Sequence, residues 1–182
     1  MLPPGHLAAG VIAADVLLNL GPYSFAPVET RNLMLIGALI GFLPDLDSFA
    51  SFFKQKKLRI NNEVANHREY ISHAPLLWLV AGLIVFFLAE SEFNRTVGLM
   101  IWLSSWSHFI LDSEWGIRWL WPFSGKWFPF SDRFYEKIYS EPRLEDSNTF
   151  RYWFKLALNE YKKPQGFLEI LIVITGIIVF FK

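Results

Sequence analysis

Each of the four histidines lies beside a carboxylate or at the edge of an apolar run. His6 follows Pro3-Pro4-Gly5, and His67 and His73 bracket H-R-E-Y-I-S-H. His108 stands four residues before Asp112 in S-H-F-I-L-D, and P-D-L-D supplies Asp45 and Asp47. Imidazole and carboxylate together form the ligand set that zinc, manganese or iron prefer. On a helix, His108 and Asp112 share one face with β-carbons about 5–6 Å apart. They can then bind one ion together, or Asp112 can bridge two. A plain surface pair of histidine and carboxylate has the same spacing. Asp112 at a helix C-terminus also opposes the helix dipole, a cost that a bound cation offsets.

His67 and His73 are six apart, so a regular helix puts them on different faces. One of them then belongs to a loop or first turn, with Ser72 or Asn66 as a helix N-cap. Arg68 is a candidate phosphate clamp, because a guanidinium matches phosphate oxygens as a two-pronged fork; it reads equally as an ordinary cytoplasmic-side cation. Asp45 and Asp47 follow Pro44, where the second helix should end, and so are expected on a turn. D-x-D alone also occurs as an Asx turn. Asp15 and Glu169 interrupt apolar runs. Asp15 is expected to face the bundle or be protonated, and Glu169, nearer an end, to snorkel.

The elements that must hold these groups are apolar. Hydrophobic residues make up 53% of 182 positions and charged ones only 19%, with 18 Phe and 8 Trp, which favours a membrane over a soluble domain. Apolar stretches fall at roughly 6–20, 33–43, 74–89, 97–111 and 167–181. Each is shorter than the ~20 residues that cross a bilayer as one straight helix, but flanking and interfacial aromatic residues can extend them. If the five helices alternate, His6, Asp45/Asp47, His67/His73 and His108/Asp112 all fall on one side. Of the 17 Lys and Arg, all but Arg31, Arg95 and Lys182 fall on that side too. The positive-inside rule makes it the cytoplasm. The zero net charge supplies no argument for nucleic-acid binding, and the lack of cysteine excludes disulfides and thiolate sites. No basic leader or cleavage site marks the N-terminus, so no removable signal peptide is expected.

Within the single domain 1–182, residues 113–166 form an aromatic-rich interfacial segment. The echo W-P-F-S … F-P-F-S reads as turns, and T-F-R-Y-W-F-K-L-A-L-N-E-Y as an amphipathic helix ended before Pro164. Its aromatic residues either cap the bundle or meet lipid headgroups.

The combination of G-H-L-A-A-G, L-P-D-L-D, H-R-E-Y-I-S-H and S-H-F-I-L-D-S followed by W-P-F, over about residues 1–130, resembles the LexA-regulated, membrane-bound metal-dependent hydrolase family. That family is itself distantly similar to zinc-dependent phospholipase C, whose H-x-x-x-D ligand pair His108 and Asp112 resemble. The resemblance implies ligands at His6, Asp45 and one of His67 or His73. No histidine follows His108, a departure from the phospholipase pattern; Asp132, Glu114 or Glu136 are the available substitutes.

The expectation is an all-α polytopic membrane bundle of about four to five helices. Two divalent ions, zinc foremost and manganese or iron otherwise, would be held by His6, Asp45, Asp47, His67, His73, His108 and Asp112. The expected activity is hydrolysis of a lipid phosphoester by metal-activated hydroxide at the cytoplasmic face, with Asp112 and Arg68 in catalytic roles. The competing expectations are a metal transporter or sensor, and a non-catalytic protein with a structural metal site.

Overall fold

A computed structural model describes residues 1–56, 67–113, 116–128 and 148–182, the side chains of Ser51, Gln55 and His67 excepted. Among these residues the chain is helical: α1 (Pro3–Leu20), α2 (Pro27–Phe42), α3 (Asp47–Gln55), α4 (Pro75–Leu88), α5 (Glu92–Leu111), α6 (Thr149–Tyr161) and α7 (Pro164–Phe181). Single 3-10 turns cover 43–46, 67–69 and 71–73. Four helices start on proline (α1, α2, α4 and α7), whose fixed φ suits the first turn and whose missing N–H costs nothing there.

Two helices begin earlier than hydropathy suggests. α2 starts at Pro27, not near 33, because the Glu29 carboxylate reaches back to the Ala26 N–H at 3.0 Å. α5 starts at Glu92, not near 97, because Ser91 Oγ caps the Asn94 N–H at 3.2 Å. In both cases the first turn is polar. The amphipathic helix before Pro164 is α6, capped by Asn148 Oδ1 on the Arg151 N–H. α4 has no side-chain cap; Ser72 bonds elsewhere, and Asn66 lies outside the described residues.

α1 packs on α2, α5 and α7, and α5 packs on α2 and α4. Small residues let the backbones meet. A β-carbon on Gly37 would lie 2.7 Å from the Gly10 carbonyl oxygen, and one on Gly41 would lie 2.7 Å from that of His6. Ala14, Leu33, Met34, Ile40 and Met100 fill the space between these helices.

The polarity is inverted relative to a water-soluble bundle. Leu35, Leu39, Val80, Ile84, Phe87 and most of α7 point outward, whereas Thr96, Ser104, Ser105, His108, Asp112 and Glu169 are buried. Exposed apolar surface on this scale marks contact with lipid or a partner. Two described helical stretches are long and apolar enough to cross a membrane, Pro27–Lys54 and Pro164–Phe181; α4 is apolar but shorter.

Candidate metal centre

Four helix ends converge at one end of the bundle. His6 sits in the first turn of α1, and Asp45 in the 3-10 turn after α2, where Pro44 stops the regular helix. His73 closes the turn before α4, and His108 with Asp112 ends α5. Single ligand atoms of Asp45, His73, His108 and Asp112 all lie within 4.8 Å of one another, a group that could hold a metal ion. His6 joins it: its Nε2 is 3.2 Å from Asp112 Oδ1 and 3.7 Å from Asp45 Oδ2.

The two oxygens of Asp45 face different imidazoles. Oδ1 is 3.7 Å from His73 Nε2 and 3.7 Å from His108 Nε2, while Oδ2 faces His6. His6 and His108 stack with ring centroids 3.9 Å apart. His6, His73, His108 and Asp112 are all but fully buried, and Asp45 is slightly open at 14%.

The ring orientations are fixed from behind. His108 Nδ1 lies 2.9 Å from the Gly41 carbonyl oxygen. A carbonyl only accepts, so Nδ1 carries the proton and Nε2 turns its lone pair to the centre. Asp47 Oδ2 lies 2.7 Å from His73 Nδ1 and also accepts from the Ser72 hydroxyl. Asp47, expected among the ligands, is therefore placed behind a ligand and outside the group. The indoles of Trp78 and Trp106 donate to the carbonyls of Ser72 and Pro75 at 2.7 and 3.0 Å, pinning the turn that carries His73.

These donors fit a divalent ion. Tetrahedral zinc with bonds of about 2.0–2.2 Å sets its ligand atoms roughly 3.3–3.6 Å apart, close to the 3.2–3.7 Å of the four His–carboxylate pairs within a group that spreads to 4.8 Å. The Nε2 atoms of His6 and His108 are buried with no hydrogen-bond partner among the described residues. Orphaned buried polar atoms are costly, and a cation would satisfy both.

Asp112 is ringed by cations. Its Oδ2 accepts from Arg68 Nη2 at 2.6 Å and Nε at 3.2 Å, and its Oδ1 from the Met1 ammonium at 2.7 Å. Burial alone would push this carboxyl up, but Arg68, the ammonium and His6 together hold it well below the usual range. Burial likewise acts to lower the ammonium's own pKa, and Asp112 more than reverses this, so it is raised. Arg68, expected as a phosphate clamp, is here a partner of Asp112. His67 opens the 67–69 turn, but its side chain is outside those described, as are Asp132, Glu114 and Glu136.

Two features escape sequence reasoning. The Gly41 carbonyl is backbone and leaves no compositional trace. Glu169 does not snorkel: it is 2% exposed and turns inward, its Oε2 accepting the Leu2 N–H at 3.1 Å and its Oε1 the Tyr161 hydroxyl at 3.4 Å. Its presence in an otherwise apolar run was the only signal. Asp15 is half-buried on α1.

No curated protein and no solved structure matches the chain. The family model described as YdjM inner membrane protein matches residues 1–181, the span that contains every candidate ligand and the apolar helices around it. The chain belongs to the YdjM inner membrane protein family, and its place is the inner membrane.

Proposed function

We propose that the protein is a membrane-bound, metal-dependent hydrolase that cleaves a phosphoester in a lipid. The observation that carries this reading is Asp45, whose two oxygens face separate sets of donors in a buried centre. His73 and His108 face Oδ1, and His6, itself 3.2 Å from Asp112, faces Oδ2. Such a carboxylate suits a pair of ions, zinc foremost, with His6, Asp45, His73, His108 and Asp112 as their holders. Divalent ions there would supply Lewis acidity to water and to phosphoester oxygens.

The chain's own groups do the rest. Asp45 and Arg68, the more open members of the cluster, mark the way in. Arg68 holds Asp112 in place, and its guanidinium would meet a nonbridging phosphate oxygen. Asp47 and Gly41 keep two imidazoles aimed, and the buried bundle below excludes water. In this reading α1, α2, α4, α5 and α7 act as the membrane spans, and the Lys and Arg bias of the sequence supports a cytoplasmic face for the centre. A lipid substrate then already lies at the level of the site.

The test is elemental analysis of the purified protein beside the His108→Ala, Asp112→Ala double variant, followed by turnover on phospholipid vesicles and on a chromogenic phosphoester. About two equivalents of metal per chain, lost in the double variant, with metal-dependent cleavage, is the expected result. Bound metal with no cleavage of either substrate points instead to a structural site. Wild-type protein that stays metal-free after reconstitution overturns the reading.

A further inference from the structure

We propose that α6 lies in the headgroup layer of an anionic leaflet and ties the metal centre to that depth. This placement deepens the hydrolase reading and rests on it only for the meaning of the depth. α6 carries two exposed stripes. Phe150, Phe154 and Leu158 recur at every fourth position with 81, 56 and 43% exposure, and form an apolar ridge that no element covers among the described residues. One step further round the helix, Arg151, Lys155 and Lys162 form an exposed basic flank. On the opposite side Tyr152 is 5% exposed and packs inward.

An apolar ridge bordered by cations is the pattern of a helix lying in a membrane interface. The ridge enters the acyl boundary and the cations meet lipid phosphates. The neighbouring elements favour lipid over a second protein. α6 runs through Lys162-Lys163 straight into α7, whose Phe167, Ile170, Leu171, Ile174 and Ile178 present a continuous outward apolar face. Tyr161 at the end of the ridge bonds Glu169 inside α7, which fixes the corner between the two helices.

The link to the centre is short. Trp153 of α6 meets Phe52 of α3 edge to face, with centroids 6.0 Å apart. α3 begins at Asp47, the carboxylate that holds His73. Seating α6 therefore sets the level of the centre relative to the lipid phosphates. The substrate class this implies is a phospholipid whose headgroup reaches the centre without leaving its leaflet.

The chain has no cysteine, so single nitroxide labels can be placed without removing any residue. Labels at Phe150→Cys, Phe154→Cys, Leu158→Cys, Arg151→Cys, Lys155→Cys and Asn159→Cys are read in vesicles of phosphatidylethanolamine and phosphatidylglycerol, by collision with oxygen and with a water-soluble nickel chelate. The expected ratio of oxygen to nickel collisions rises several-fold at 150, 154 and 158 over that at 159, with 151 and 155 between. Replacing phosphatidylglycerol by phosphatidylcholine should move the ridge labels outward. Nickel access at all six positions would overturn the proposal, because α6 would then stand in water. Ridge labels shielded from both reagents would overturn it too, because protein would then cover the ridge. Metal content, measured on the same samples, reports separately on the centre.

Discussion

The Nδ1 of His73 stands 2.7 Å from Asp47 Oδ2 across a sequence separation of 26 residues. A carboxylate behind a histidine fixes its tautomer and makes its outer nitrogen a better ligand. Removing such a partner typically weakens metal binding about 10–100-fold. Asp47→Asn should show a loss of this order in a competition titration, with helical content unchanged. Unaltered affinity would mean that Asp47 merely braces the turn through Ser72.

The glycines separate packing from site geometry. In Gly41→Ala the new β-carbon would press on the His6 carbonyl, and the Gly41 carbonyl itself holds His108. In Gly98→Ala it would press on the Gly82 carbonyl at 2.8 Å, about 15 Å away along α5. Both variants should lose about 1–3 kcal/mol of stability from overpacking. Only Gly41→Ala should also lose metal affinity. Equal losses of affinity in the two would show that the centre feels the bundle as a whole.

Glu169 should act as the anchor of the start of α1. Glu169→Leu leaves the Leu2 N–H without its acceptor, a change worth roughly 1–3 kcal/mol. Glu169→Gln keeps an acceptor oxygen and should recover most of the thermal stability. A Gln variant as unstable as the Leu variant would assign the effect to charge and not to the hydrogen bond.

In the metal-free protein, acid should act through Asp112. Its carboxyl is depressed, so its stabilising contribution is full above the ordinary value of 3.8 and fades only as pH falls through the lower folded-state value. Arg68→Met removes the strongest of the attractions that oppose burial, leaving the Met1 ammonium and His6. The acid transition followed by tryptophan fluorescence should then move to higher pH. A transition that stays put would assign acid unfolding to other carboxylates.

Much of this was legible because its signals are local. The apolar runs announced α1, α2, α4, α5 and α7, and alternation along them put His6, Asp45, His73, His108 and Asp112 at one end. What lay beyond reach depends on three dimensions. Asp45 in the 3-10 turn and Asp47 at the head of α3 are carboxylates two residues apart, and only the placement of His73 makes one its support and leaves the other facing the centre. α3 was hidden because Asp47, Ser48, Lys54 and Gln55 break its hydropathy. Arg68 read equally as a phosphate clamp and as an ordinary cation, because nothing in H-R-E-Y reveals its bond to Asp112, 44 positions away.

The donors of the centre are spread from position 6 to position 112 and come from four separate helix ends. No fragment that stops before α5 contains the last two of them. The centre thus comes into being only after the fourth of these helices has been laid beside the first, late in synthesis. A cation held there would act as a seal on a finished assembly, since a chain stopped before α5 carries His6, Asp45 and His73 but lacks the pair that completes the group.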